Sequence, residues 1–159
     1  MVEDRREKIM ITDEGLKLIK YFEGCKLNAY QDTGGIWTIG YGHTNHVQEG
    51  DTCMQEDADQ WLLDDLINAE RRVTLLVTIE LQQCELDSLI SQAYNIKSFP
   101  LLVSHLKESK EIYLQKLLLY CHDAQGHELS GLKKRRYAEN WLFQGVKWID
   151  ILPKIEEMK

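Results

Sequence analysis

Eight residues separate Glu23 from Asp32, and five more separate Asp32 from Thr38. Two carboxyls and a hydroxyl can carry out hydrolysis if the carboxyls differ in charge state. Glu23 ends an apolar helical stretch beside Tyr21 and Phe22. The negative end of a helix dipole and apolar surroundings both favour a protonated acid, which can donate its proton to a leaving group. Asp32 lies in "QDTGG", a polar turn where water and backbone N–H groups keep a carboxylate ionised. Unlike carboxyls of this kind are what glycosidic cleavage uses: one protonates the glycosidic oxygen, and the other works as base or nucleophile on the opposite face of the sugar. Thr38 alternates with Ile36 and Gly40, so its hydroxyl could hold a water near Asp32. Plainer readings stay open at this point. Helix-terminal glutamates are commonly solvated, aspartates are common in turns, and a single His43 is more often a structural hydrogen-bonding group.

Several elements must position these residues. "ITDEGLKLIKYFEG" has Thr12 as its N-cap, Asp13 and Glu14 at the positive end of the dipole, apolar residues at 16, 19 and 22, and Gly24 as its stop. "LNAY" and "IWTIGY" then flank "QDTGG", which predicts a β-hairpin with Gly34 and Gly35 supplying positive φ. Trp37 and Tyr41 could be core or sugar platform; a small hairpin needs aromatic packing, which favours core. Thr52 and Gln55 form a capping-box pattern ahead of a long helix at about 53–78, with Ala58, Leu62, Leu66, Ala69 and Val73 on one face. Helices follow at roughly 82–96, 101–107, 111–122, 131–144 and 148–157, with Pro100 starting one of them. The predicted class is α+β. A hairpin lobe (about 12–52) and a helical lobe (about 79–159, with the first helix packed on it) are joined by the long helix, and the cleft between lobes is a natural substrate site.

Composition narrows the function classes. An apolar fraction of 43% and two prolines in 159 residues describe a globular chain of one domain. A net charge of −7 argues against a nucleic-acid partner. No run of 18 apolar residues occurs, so no stable membrane insertion is expected, and the charged "MVEDRREKIM" does not read as a signal peptide. Cys25, Cys53, Cys84 and Cys121 show no CxxC or zinc-ligand spacing, so free thiols, no metal and no cofactor are expected. The eight acids between Glu49 and Glu70, and the basic run Lys133 to Arg136, both read as solvated helix faces.

The Glu23–Asp32–Thr38 spacing resembles the catalytic signature of the phage-type lysozymes, the endolysin muramidases of glycoside hydrolase family 24. "EGCKLNAYQDTGGIWTIGYGHT" is similar to that family's helix-end Glu, Tyr-x-Asp turn, Thr-Ile-Gly strand and Gly-His ending. "GLKKRRYAENWLF" and "ELDSLISQAYNI" resemble its last long helix and its central helix. The resemblance covers about residues 10–148. It implies a lysozyme-like fold and hydrolysis of the β-1,4 bond between N-acetylmuramic acid and N-acetylglucosamine in peptidoglycan, with inversion. Glu23 would be the general acid, Asp32 would position or deprotonate the water, and Thr38 would help hold it. Arg135, or its neighbour Arg136, would face Glu23. His43 would be structural and pair with an acid. The resemblance further implies a monomer made in the host cytoplasm, reaching the periplasmic wall through a separate holin. A catalytically silent wall-binding relative and a muramidase serving a secretion or injection system are the other readings. The acidic charge and the segment "NIKSFPLLVSHLKESKEIYLQKLLLYCHDAQGHE" depart from the common family pattern.

Overall fold

The computed structural model describes residues 10–159; the charged start of the chain, read above for a signal peptide, lies outside the described residues. Helix α1 (Asp13–Glu23) leads into β1 (Lys26–Gln31) and β2 (Trp37–Gly40). Then come α2 (Gln55–Leu76), α3 (Gln83–Asn95), α4 (Phe99–Ser104) with a 3₁₀ turn at His105–Lys107, α5 (Lys110–Leu117), α6 (Ser130–Phe143) and α7 (Trp148–Glu157). The class is α+β, as the periodicities predict.

The apolar stripe of α2 is buried as expected: Ala58, Leu62, Leu66, Ala69 and Val73 join Ile19, Leu89, Ile90, Phe99, Leu102, Tyr113 and Leu117 in the main core. Leu18, Ala138, Leu142, Ile151 and Ile155 form a second cluster between α1, α6 and α7. Helix α3 lies at the centre and packs against α1, α2 and α6. Its residues Asp87 to Ala93 are all buried, polar ones included.

The helix starts differ from the predicted caps: tertiary carboxylates hold the entry to α1, and α2 begins on a local box two residues later than Thr52. Thr12 does stand at the N-cap of α1, but its hydroxyl donates to Asp87, and its N–H donates to Asp87 Oδ1 at 2.9 Å. The N–H groups of Met10 and Ile11 donate to Glu70 Oε1 at 2.9 and 3.0 Å. Helix α2 starts at Gln55 with Met54 as its cap, and Asp57 accepts the Met54 N–H at 3.0 Å. The predicted Thr52 cap fails because Thr52 is drawn into a β-bridge with Asn28.

Two predicted helices are shorter than their apolar patterns. The 101–107 pattern begins at Phe99 with Pro100 in the first turn and tightens to 3₁₀ after Ser104. The 111–122 pattern stops at Leu117, because residues beyond it fold back: Leu129 N–H donates to the Cys121 carbonyl at 2.8 Å. The solvated-face reading of the two charge runs also needs correction. Glu70, Arg135 and Arg136 are buried, and Asp59 and Asp65 are paired with Lys20 and His43.

Candidate active site

Glu23 is the last residue of α1, and Gly24 ends the helix with φ 63° while its N–H donates to the Lys20 carbonyl at 3.0 Å. Of the two candidate arginines, Arg135 is the one that meets it: Nη1 donates to Glu23 Oε1 at 2.6 Å. The expectation of an acid in apolar surroundings is thus only half the picture, since a buried guanidinium lies directly against this carboxyl. Gly42, at φ 97°, leaves open the other side of the carboxyl. A Cβ there would lie 3.9 Å from Glu23 Oε2 and 4.0 Å from the Tyr94 hydroxyl.

Arg135 is held from behind. Its Nε donates to Glu139 Oε1 at 3.2 Å, and Nη2 to Ser91 Oγ at 3.4 Å. Ser91 in turn donates to Glu139 Oε1 at 2.7 Å. Arg136 points the other way: it donates to Glu139 Oε2 at 2.6 Å and to Asn95 Oδ1. Glu139 is fully buried. Burial works against the charge of both arginines, but the outcomes differ. Glu139 and then Glu23 outweigh burial at Arg135, whose pKa is raised above the ordinary value. At Arg136 burial, with the neighbouring Arg135 charge, outweighs Glu139 and the smaller contribution of Tyr113, and its pKa is lowered.

Asp32 and Thr38 sit on the hairpin and are tied through one residue. Asp32 Oδ1 accepts the N–H groups of Gly34 at 2.8 Å and Ile36 at 2.9 Å. Thr38 Oγ1 donates to the Ile36 carbonyl at 2.9 Å. The strands pair Tyr30 with Thr38 and Gln31 with Trp37, with a bulge between Lys26 and Tyr30. Of the two turn glycines only Gly35 uses positive φ (78°); at Gly34 a Cβ would press on Asp32 Oδ1 at 3.3 Å. The small residue there keeps the carboxylate accessible to two N–H donors at once.

His43 joins neither carboxylate. Its Nδ1 lies 2.9 Å from Asp65 Oδ2, and its ring stacks on Trp61 with centroids 5.0 Å apart. Tyr41 is buried, and its hydroxyl accepts from Gln55 at 3.0 Å, so it belongs to the core; Trp37 is half-buried.

A cleft of about 360 Å³ opens between α1 and α6, lined by Phe22, Glu23, Asn95, Leu129, Gly131, Leu132 and Arg135. Asp32 and Thr38 are not part of its lining. The larger hollow, about 500 Å³, lies instead around His43, Trp61 and Asp65. The cleft, and not that hollow, holds the acid with its ion-paired partner. Sequence reasoning passed over Tyr94, Ser91 and Glu139. A signal existed for Glu139: it stands four residues after Arg135 and three after Arg136, the spacings at which helical side chains meet. Burial raises the Tyr94 hydroxyl's pKa, with the charges of Glu23 and Asp65 adding to it.

Comparison with known proteins fits this geometry. The endolysin of Acyrthosiphon pisum secondary endosymbiont phage 1 is 32% identical over 144 residues, spanning 86% of this chain and 99% of that protein. The endolysin of Lactococcus phage c2 is 35% identical over 136 residues, and the match spans 59% of its length. Among solved structures, the muramidase domain of SpmX from Asticaccaulis excentricus superposes with a TM-score of 0.78 at 34% identity, covering 84% of this chain and 96% of that one. The phage lysozyme family model matches residues 20–139, a span that runs from just before Glu23 through both hairpin strands to Glu139. With a helix-end glutamate, an Asx turn on a hairpin and a buried arginine pair inside that span, the chain belongs to the phage lysozyme family.

Proposed function

We propose that this muramidase cleaves the β-1,4 bond between N-acetylmuramic acid and N-acetylglucosamine in peptidoglycan with inversion, using Glu23 as general acid and Asp32 as general base. The observation that carries the reading is the Arg135–Glu23 ion pair at 2.6 Å on one wall of the cleft. It fixes the carboxyl through Oε1 and leaves Oε2, on the Gly42 side, to bear the proton.

In the reaction Oε2 protonates the glycosidic oxygen as its bond to the anomeric carbon breaks. A water attacks that carbon from the opposite face while Asp32 accepts its proton. Asp32 is oriented by two backbone N–H donors to Oδ1, which leaves Oδ2 for the water. Thr38 donates its own hydroxyl proton to the Ile36 carbonyl, so it meets the water as an acceptor. His43 keeps the hairpin on α2 through Asp65 and Trp61 and takes no part in the chemistry. Residues from about 12–52, 53–78 and 79–159 serve as hairpin lobe, linking helix and helical lobe, with α1 packed on the helical lobe. The protein acts as a monomer, and in phage-type lysis it moves from the host cytoplasm to the periplasmic wall through a holin encoded elsewhere. No described helix is long and apolar enough to cross a membrane.

The test is Glu23→Gln on purified peptidoglycan. The variant should fold with an unchanged circular-dichroism spectrum and release new reducing ends about 10²–10⁴-fold more slowly, the usual share of general acid catalysis. Proton NMR of the earliest wild-type product should show the α-anomer. Near-normal turnover by folded Glu23→Gln rejects the acid; a β-anomer first rejects the water-holding role of Asp32 and Thr38.

A further inference from the structure

Between α5 and α6 the chain closes on itself. Leu129 N–H donates to the Cys121 carbonyl at 2.8 Å, and Asp123 N–H donates to the His127 carbonyl at 2.9 Å. His122 and Glu128 oppose each other as an antiparallel bridge. That pairing brings Cys121 Sγ, a His122 ring nitrogen and a Glu128 carboxylate oxygen within 4.8 Å of one another. Cys121 Sγ and His122 Nδ1 are already 3.7 Å apart. Ligands at zinc bond lengths of about 2.0–2.3 Å in tetrahedral array stand about 3.5 Å from one another. The remaining adjustment falls on His122 and Glu128, which are exposed and can rotate, whereas Cys121 is buried and fixed.

The donor set has a definite preference. A thiolate, a neutral imidazole and a carboxylate sum to two negative charges, matched by one divalent cation. Sulfur and imidazole donors suit zinc-class ions and not magnesium or calcium, which take oxygen. The simpler account is that Glu128 serves Lys133, whose Nζ lies 2.9 Å from Oε1, and that His122 bonds the Leu119 carbonyl at 3.2 Å. The Lys133 bond occupies one carboxylate oxygen of Glu128 and leaves the other, whereas the Leu119 carbonyl holds the same His122 Nδ1 that faces Cys121 Sγ, so the exposed ring must give up that bond or turn to present Nε2 when an ion binds. Among the described residues no other three metal-ligating side chains come this close.

We propose that Cys121, His122 and Glu128 bind a single zinc-class divalent cation, with a fourth position open to water. Linear spacing hides the site, because two ligands are adjacent and the third arrives only when the turn closes. The loop continues into Leu129 and Gly131, which line the cleft beside Glu23. An ion here would therefore stiffen the rim of that cleft, while taking no part in the chemistry at Glu23.

The experiment uses the full chain freed of metal by chelator and titrated with Co²⁺ under reducing conditions, followed by absorption. One equivalent should produce a sulfur-to-cobalt charge-transfer band with tetrahedral ligand-field bands, and Zn²⁺ should bleach both. Cys121→Ser should lose the charge-transfer band. His122→Ala and Glu128→Gln replace exposed side chains, so they should fold, bind the ion more weakly and lose the rise in thermal midpoint that Zn²⁺ gives the parent. These two variants decide the matter if Cys121→Ser does not fold. No stoichiometric binding, or binding unchanged in both exposed-residue variants, overturns the site. Neither readout depends on lytic activity.

Discussion

Glu139 illustrates how much rests on one side chain. It is fully buried and accepts from Arg135, Arg136 and Ser91 together. One carboxylate thus neutralises two buried guanidiniums, with Glu23 as the second partner of Arg135. Replacing Glu139 by Gln keeps the shape and removes the charge. Breaking a buried pair by deleting one partner costs roughly 3–5 kcal/mol, because the remaining charge stays desolvated. Urea unfolding of Glu139→Gln should show a loss of that size. A loss of less than about 1 kcal/mol, the range of exposed pairs, would mean that water reaches the arginines and that the buried-network description is wrong. Activity should fall as well, since Arg135 loses the anchor on its Nε and the Glu23 carboxyl loses its fixed orientation.

At the scale of elements, the seating of α1 decides where Glu23 stands. Gly15 is the contact point of α1 with α3: a Cβ there would lie 2.8 Å from Ile11 Cγ1 and 3.0 Å from Asp87 Cβ. Asp87 also receives the Thr12 N–H, so any outward shift of the helix strains its own cap. Helix propensity favours Ala over Gly by about 1 kcal/mol, whereas overpacking a tight contact costs about 1–3 kcal/mol. Packing should win. Gly15→Ala is expected to lose about 1–2 kcal/mol in denaturant unfolding, and any stabilisation would show that α1 can slide on α3 without cost. The far end of the molecule helps hold the same helix, because Glu14 Oε2 accepts the Trp148 N–H at 2.6 Å and so ties α7 to the start of α1.

For the whole molecule, buried phenols contribute stability that is lost on the alkaline side. Burial, and then the hydrogen bond and charge of Asp59, push the Tyr41 hydroxyl from its ordinary 10.0 up to about 12. Burial raises Tyr113 well above the ordinary value, and Tyr94 is raised as well. The sign follows from linkage. Each group stays protonated in the fold after the unfolded chain has begun to ionise, so its contribution is complete below about pH 10 and is lost as pH climbs through the folded value. Unfolding free energy should therefore fall above about pH 10. Tyr41→Phe should flatten the part of that slope between about 10 and 12. An identical slope in the variant would show that lysine deprotonation, and not the phenol, governs the decline.

The sequence by itself determined the helix faces, the hairpin, the turn around Asp32 and the placing of one acid at a helix end and another on a turn. These depend on periodicity and on backbone chemistry local to a few residues, and Leu62, Leu66 and Val73 of α2 are buried where the period puts them. It also left a choice between Arg135 and Arg136, which are adjacent and alike in type. Only packing separates them: one side of α6 carries Arg135 to Glu23, while the next residue, turned about 100° around the helix, reaches Asn95. Tertiary structure likewise decided how the entry to α1 is held. Glu70 and Asp87 lie 59 or more positions along the chain from the N–H groups they accept, and no local pattern can report such a bond. The Cys121–His122–Glu128 cluster is of the same kind, since its ligands meet only through a backbone pairing that an apolar helical pattern conceals.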